Sequence, residues 1–290
     1  METITKELRQ ELLKNQKDEI TSFHIYQAIA SKQKDAENAK LLNTIAADEK
    51  NHYILLQKYS NSEVRPSKIK ILRYLLIAKT LGLTFSLKLL EKGEEKASAS
   101  YEALMTHFPE LKKVLEDEEN HERELLGLIN EERLNYMGSI VLGLNDALVE
   151  LTGALAGYTF AIQNSRVIAL IGLITGISAS FSMAASEFLS KKQEKEDNAF
   201  KSSIYTGIAY IITVILLILP YLLLPNHFLD LGLSVLMAIT IILAFNFYIS
   251  VAKDLPFKKR FLEMAGISLG VTAVSFGIGW AVRTFLGLEI

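Results

Sequence analysis

Two short motifs in the chain place a glutamate three positions before a histidine. Glu49 precedes His52 in one motif, and Glu118 precedes His121 in the other. Residues three apart lie on one face of an α-helix, so each motif can direct a carboxylate and an imidazole at one metal ion. The chain has five histidines, and two of them belong to these motifs. The spacing therefore predicts a carboxylate–histidine metal site rather than a solvated helix face.

The helices that must position these motifs are indicated by the periodicity and the capping signals of the first 135 residues. We predict four long helices, over residues 5–31, 35–59, 83–107 and 109–135. A four-helix bundle in which two helices carry Glu-x-x-His and the other two carry one Glu each is typical of dinuclear carboxylate sites. Glu19 supplies the carboxylate of the first helix. In the third helix we predict Glu94, and Glu91 and Glu95 are the alternatives.

The predicted metal ligands are four glutamates and two histidines: Glu19, Glu49, His52, Glu94, Glu118 and His121. Carboxylate and imidazole ligands suit iron, and they also accept manganese and zinc. We therefore predict a dinuclear iron cofactor, with Mn²⁺ or Zn²⁺ as alternatives. Tyr26 lies on the face of Glu19, where it either hydrogen-bonds the site or packs in the core. His24 and His107 are interpreted as surface or packing residues.

A further segment of this part, residues 67–81, is basic on one side and apolar on the other. This pattern favours a helix that lies on the anionic cytoplasmic leaflet of a membrane. The alternative is an ordinary bundle helix that packs on its neighbours.

Charge divides the 290-residue chain into two parts. The first 135 residues contain 21 of the 31 Lys and Arg and 23 of the 33 Asp and Glu. We therefore predict an all-α protein with a soluble domain over 1–135 and a membrane domain over 136–290. The absence of cysteine excludes disulfides, thiolate metal sites and cysteine nucleophiles. A net charge of -2 provides no basic surplus for nucleic acid, and the polar N-terminus is unlike a signal peptide.

The membrane domain contains five stretches long and apolar enough to cross a bilayer. They are residues 137–164, 167–190, 203–224, 227–251 and 262–286. Basic residues concentrate on one side of the predicted topology: Lys191, Lys192, Lys195, Lys201, Lys253, Lys258, Lys259 and Arg260. In the loops on the opposite side, Arg166 is the only basic residue. Positive charge marks the cytoplasmic side, so we expect the N-terminus in the cytoplasm and the C-terminus outside.

Ionisable side chains inside these spans are costly in hydrocarbon and therefore point to function. Asp146 and Glu150 lie four residues apart on the first span, and Met183 and Glu187 lie four apart on the second. Hard oxygen donors beside a soft thioether suit a divalent cation such as Fe²⁺ or Mn²⁺. We predict that these four residues line a transport path. The alternatives are that Glu187 reaches the cytoplasmic interface and that Met183 fills apolar space.

The soluble part resembles the rubrerythrin branch of the ferritin-like superfamily. The resemblance is carried by Glu19, Gly93-Glu94 and the two Glu-x-x-His motifs, and it implies the ligand set given above. Rubrerythrins usually have a further Glu at the position of Ala97. The rubredoxin domain of that family needs cysteine and has no counterpart here.

The membrane part resembles the vacuolar iron transporter family, most clearly over residues 140–150 and 182–189. The resemblance implies a five-helix homodimer that exchanges Fe²⁺ or Mn²⁺ for protons, with Asp146 and Met183 in the metal path. Family members often join spans two and three by a metal-binding domain, whereas this chain has only residues 191–202. The complete chain is similar to the membrane-bound ferritin-like iron exporters of prokaryotes.

We therefore expect a proton-coupled exporter of Fe²⁺ or Mn²⁺ in the cell membrane of a prokaryote. The predicted proton carrier is Asp146, Glu150 or Glu187. The soluble domain is expected to capture, sense or oxidise the metal. The alternative is a membrane-anchored di-iron ferroxidase or peroxidase, for which the membrane part is an anchor or a route for the substrate.

Overall fold

The structure, a computed structural model, describes residues 5–127 and 136–286, except for the side chains of residues 94–100, 102, 103, 122, 126, 127 and 286. Within these ranges the regular elements are all helices, which confirms the predicted all-α class. The chain divides into two compact units, Met1–Glu131 and Glu132–Ile290, called here the bundle unit and the membrane unit.

The bundle unit contains five α-helices and one short 3₁₀ helix, Pro109–Leu111, in its described part. The α-helices are α1 Lys6–Ala30, α2 Ala36–Ser60, α3 Lys68–Leu81, α4 Leu83–Met105 and α5 Lys112–Gly127. Side-chain oxygens of Thr5, Asp35 and Ser67 cap the N-termini of α1, α2 and α3. Capping of this kind satisfies backbone N–H groups that have no partner inside the helix. The predicted extension of the last helix to residue 135 lies outside the described residues.

The long helices α1, α2, α4 and α5 pack in a ring, and α3 packs against α1 and α4. Two apolar clusters fill this bundle, and each long helix contributes to both. One cluster includes Ile25, Ile45, Leu90 and Leu125. The other includes Leu12, Leu56, Leu104 and Val114. On every long helix the predicted metal ligands lie between the two clusters, so apolar packing above and below fixes the level at which they meet.

The membrane unit contains five helices in its described part. They are α6 Met137–Ile162, α7 Ser165–Gln193, α8 Ala199–Leu223, α9 His227–Lys253 and α10 Phe257–Leu286. All five are long and apolar enough to cross a membrane, which agrees with the predicted number of spans. The helices extend further into the predicted linker 191–202 than expected, because α7 continues to Gln193 and α8 begins at Ala199.

Helix α6, which carries Asp146 and Glu150, packs closely against α8 and α10 at glycine positions. A Cβ atom on Gly143 would lie 2.3 Å from the carbonyl oxygen of Thr206. A Cβ atom on Gly279 would lie 2.4 Å from the carbonyl oxygen of Gly157. Small residues let membrane helices approach this closely, and any larger side chain would separate them. The backbone that carries the two acidic residues is therefore held firmly on two sides.

Candidate functional site

Four predicted metal ligands meet in the centre of the bundle unit. Donor atoms of Glu19, Glu49, His52 and Glu118 all lie within 4.8 Å of one another, a separation that one metal ion can bridge. Glu19, Glu49 and His52 are buried, and Glu118 is partly buried. These residues come from α1, α2 and α5, so the group exists only when the three helices are packed together.

His121 adds a second imidazole to this group. Its Nδ1 lies 3.6 Å from Glu49 Oε1 and 3.9 Å from Glu118 Oε2. On the other side, His52 Nδ1 lies 3.4 Å from both Glu19 Oε2 and Glu118 Oε1. The carboxylate of Glu118 therefore lies between the two imidazoles, whose ring centroids are 6.1 Å apart. We call these five residues the bundle cluster: Glu19, Glu49, His52, Glu118 and His121.

The outward nitrogen of each histidine faces an aspartate of the other motif. His52 Nε2 lies 3.2 Å from Asp117 Oδ2, and His121 Nε2 lies 3.3 Å from Asp48 Oδ2. Each aspartate directly precedes the glutamate of its own motif. A carboxylate that accepts the Nε2–H holds the ring and leaves Nδ1 as the metal-binding nitrogen. Sequence reasoning missed these aspartates, although the Asp-Glu-x-Asn-His pattern occurs twice and was a usable signal.

Four inward atoms of the bundle cluster lack the hydrogen bonds that buried polar groups normally make. Glu19 Oε2, His52 Nδ1, Glu118 Oε2 and His121 Nδ1 are buried without a hydrogen-bond partner in the part of the chain that the structure describes. Converging oxygen and imidazole donors of this kind fit a divalent metal. Five of the six predicted ligands would hold it. The side chain of the sixth, Glu94, lies outside the described residues.

Two tyrosines that bridge helices hold carboxylates at this level of the bundle. The hydroxyl of Tyr101 donates to Glu19, and the hydroxyl of Tyr26 donates to Glu91. Tyr26 therefore both packs in the apolar core and hydrogen-bonds one of the alternative carboxylates of α4. Tyr101 was not singled out from the sequence, because its partner is 82 residues away.

The crowding of charges shifts the pKa values of the bundle cluster. Burial lowers the pKa of His52, but the carboxylates of Glu118 and Glu19, each 3.4 Å from its Nδ1, outweigh burial and raise the pKa to about 11. Burial and the charge of Glu19 raise the pKa of Glu118. Burial also opposes ionisation of Glu19, yet His52, Glu49 and Tyr101 together outweigh burial and lower the pKa of this carboxylate. His52 is therefore a cation at neutral pH, and a metal ion must displace its proton.

In the membrane unit, two of the predicted path residues accept hydrogen bonds from hydroxyls on neighbouring helices. Ser139 Oγ donates to Glu187 Oε1 at 2.6 Å, and Glu187 is buried. The Tyr210 hydroxyl donates to Glu150 Oε2 at 2.8 Å. These contacts join α6 to α7 and α6 to α8. Neither Ser139 nor Tyr210 was singled out from the sequence.

The other two path residues are less constrained. Asp146 is partly buried and makes no hydrogen bond or ion pair with another described residue. The amide oxygen of the adjacent Asn145 is buried and has no partner among the described residues. Met183 packs at the edge of the apolar core of the membrane unit. The structure therefore does not gather Asp146, Met183 and Glu187 into one compact site of hydrogen-bonded residues.

One more buried acidic residue lies at the opposite end of the spans. Asp230, near the start of α9, is fully buried and accepts a hydrogen bond of 2.6 Å from Ser165 Oγ. The contact joins the N-terminal turns of α7 and α9, where an anionic side chain is favourable. We interpret it as a structural link between these helices.

Comparison with known proteins identifies part of the membrane unit. Residues 137–199, which comprise α6, α7 and the loop to α8, match the VIT family. No curated protein matches the chain. The matched segment contains all four predicted path residues, Asp146, Glu150, Met183 and Glu187. Together with five membrane-capable helices, the match indicates a multi-pass membrane protein that transports metal ions.

Proposed function

We propose that the protein exports Fe²⁺ or Mn²⁺ from the cytoplasm in exchange for protons. The observation that carries this proposal is the series of acidic side chains within the VIT-matching helices. Glu187 lies near the charged end of α7, and Asp146 and Glu150 lie further along α6. The excess of basic residues beside Glu187 supports a cytoplasmic position for that end and for the N-terminus.

Export of a divalent cation needs a source of energy when the cell interior is negative. Each elementary charge costs about 2.3 kcal/mol per 100 mV, so a divalent ion costs roughly 4.6 kcal/mol per 100 mV. Inward movement of protons offsets this cost. The carboxylates of Asp146, Glu150 and Glu187 are the groups that we propose to bind metal and protons alternately.

We further propose that two copies of the chain form the transport path together. Glu150 is exposed, and Asp146 is only partly buried, on the surface of a membrane-spanning helix. A carboxylate that faces lipid is costly, so such residues normally face a protein partner or a water-filled cavity. A second copy packed on α6 would cover both side chains and place four carboxylates along one interface.

The bundle cluster is proposed to hold a dinuclear iron site that captures, senses or oxidises the metal before export. The five described ligands and a carboxylate from α4 would hold the ions. When bound, such a site supplies redox chemistry between Fe²⁺ and O₂ or peroxide. The chain's own residues position the ligands: the aspartates orient the imidazoles, and Tyr101 orients Glu19.

A flux measurement in proteoliposomes tests the transport proposal. A metal-quenched dye is sealed inside, and Fe²⁺ or Mn²⁺ is added with and without an imposed pH gradient. We expect quenching that depends on the gradient for the wild type. Glu187→Gln keeps the size of the side chain but removes its negative charge, so we expect its flux to fall to the leak of protein-free vesicles.

The matched control for this variant is Glu263→Gln, a mostly exposed carboxylate near the start of α10. It should transport like the wild type. Gradient-independent flux in the wild type would contradict proton coupling. Full flux in Glu187→Gln would remove this residue from the proposed path.

The second candidate function is a membrane-anchored ferroxidase or peroxidase. The buried inward-facing ligands of the bundle cluster favour it, because they fit a redox-active metal pair. Rapid consumption of O₂ or peroxide with Fe²⁺, lost in Glu118→Ala, together with no flux in the wild type, would support this function and exclude export.

A further inference from the structure

Helix α3 exposes most of the large apolar side chains on the surface of the bundle unit. Five large apolar residues are exposed in the described part of the bundle unit, and one of them, Ile54, lies on α2. The other four lie on α3, with exposed fractions of 83% for Ile69, 70% for Leu72, 58% for Leu76 and 42% for Leu81. Single exposed apolar residues are common, but a contiguous group on one element indicates an interaction surface.

The exposed residues lie on the face of α3 that points away from the bundle. Ile69, Leu72 and Leu76 are three and four positions apart, the spacing of one helix face. The opposite face is built from other apolar residues, including Tyr74, Ile71 and Leu75, which pack into the core. The inner face of α3 therefore already packs on α1 and α4. This packing does not explain why the outer face is apolar as well.

Basic residues flank the outer apolar stripe. Lys68, Arg73 and Lys79 are exposed, and none of them forms an ion pair within the described residues. The helix contains no acidic residue. Its remaining cation, Lys70, lies 2.9 Å from Asp18 and so is engaged with α1. An apolar stripe between unpaired cations matches the interface of an anionic bilayer, which offers hydrocarbon between negative headgroups.

The bundle unit is joined by a short segment of chain to helices that are long and apolar enough to cross a membrane. Nine residues separate the end of α5 at Gly127 from the start of α6 at Met137. Even a fully extended segment of this length reaches only about 30 Å. A membrane contact of the bundle unit is therefore an intramolecular event at high effective concentration, which weakly binding surfaces can exploit.

We propose that α3 lies on the surface of the membrane that the chain spans. Ile69, Leu72 and Leu76 enter the headgroup region, and Lys68, Arg73 and Lys79 contact anionic lipid headgroups. The contact holds the bundle unit against the leaflet from which the metal is taken up. This contact does not depend on transport, so the flux measurement and the test of membrane contact can give independent results.

The absence of native cysteine allows a direct test on the complete chain. Leu72→Cys and, as matched control, Ile54→Cys are labelled with an environment-sensitive fluorophore after reconstitution in vesicles of phosphatidylglycerol and phosphatidylcholine. Both positions are exposed, at 70% and 52%. We expect the label at residue 72 to shift to the blue and to be quenched by spin-labelled lipids, and the label at residue 54 to show neither effect.

Charge dependence completes the test. Vesicles of phosphatidylcholine alone, or neutralisation of Lys68, Arg73 and Lys79 to Gln, should weaken the quenching at residue 72. Equal behaviour of the two labels would overturn the proposal. A blue shift without lipid quenching would also overturn it, because it would show that protein, such as a second copy of the chain, covers the helix. Quenching that is the same in neutral vesicles and in the Gln variant would overturn the role of anionic lipid.

Discussion

The two groups of side chains that we propose to bind metal are built on opposite plans. In the bundle cluster, three helices bring donor atoms of three carboxylates and one imidazole within 4.8 Å of one another, and aspartates contact both histidine rings. In the membrane unit, acidic residues are spread along α6 and α7, and Asp146 has no hydrogen-bond partner among the described residues. The first plan suits holding a metal ion, and the second suits passing it on.

This difference follows from what each task requires. A site that retains a metal binds it more tightly when several ligands are held in place beforehand, because little conformational entropy is then lost when the ion binds. A path must bind an ion strongly enough to admit it and weakly enough to release it. The spread of the acidic residues along α6 and α7, the exposure of Glu150 and the partial burial of Asp146 agree with this second requirement.

The largest expected effect on the bundle cluster comes from Glu118→Ala. Glu118 lies between His52 and His121, so its loss removes a ligand from both halves of the cluster. We expect the metal bound to the purified chain, measured by mass spectrometry, to fall close to zero. Glu119→Ala, an exposed neighbour on α5, should keep the wild-type content. Unchanged metal in the Glu118 variant would contradict a cluster centred on this residue.

The next largest effect is the dependence of metal affinity on pH. The pKa of His52 is about 11 in the metal-free chain, so the ring is protonated at neutral pH and the proton must leave when Nδ1 binds a metal. Metal affinity should therefore fall as the pH falls, by about tenfold per pH unit for each proton released. Calorimetry in buffers of different ionisation enthalpy measures this release. An affinity that stays constant across neutral pH would contradict the protonated state of His52.

A smaller effect is expected when the aspartates are changed. Asp117→Asn weakens the hydrogen bond to His52 Nε2, and loss of such a partner costs about 10- to 100-fold in metal affinity. Asp48→Asn should behave alike, because Asp48 faces His121 in the same way. Glu116→Gln, an exposed neighbour of Asp117, serves as the control. Equal affinities in all three variants would show that the aspartates do not support the ligands.

The smallest expected effect lies in the membrane unit. Tyr210→Phe removes the hydroxyl that donates to Glu150, and a hydrogen bond to a charged group is worth about a factor of ten or somewhat more. We expect metal flux to change by about tenfold and bundle metal to stay the same. Tyr221→Phe on the same helix removes a hydroxyl that meets Thr159 instead, and its flux should be unaltered. Equal flux in both variants would show that the Tyr210 hydroxyl does not contribute to transport.

The helices and the position of the bundle cluster could be predicted because the signals are local. Apolar periodicity and polar caps placed both ends of the first three long helices, and the start of the fourth, within a few residues of the observed bounds. The Glu-x-x-His spacing identified side chains that share a helix face, and these side chains do converge. The run of apolar residues in each span likewise predicted five membrane-capable helices.

The supporting residues could not be predicted in the same way, because they act across helices. Tyr101 and Glu19 are 82 residues apart, and Tyr210 and Glu150 are 60 apart. Such pairs depend on how the helices rotate against each other, which local spacing does not specify. The choice among the acidic residues of α4 stays a prediction for a related reason: Glu91, Glu94 and Glu95 all fall between the two apolar clusters.

We propose that one unit holds metal while the other transports it. Asp146→Ala tests this claim when metal flux and bundle metal are measured on the same proteoliposome preparation. We expect flux reduced to the leak of protein-free vesicles, with metal in the bundle cluster equal to that of the wild type. Wild-type flux in this variant would contradict the proposed path, and loss of bundle metal would contradict the independence of the two sites.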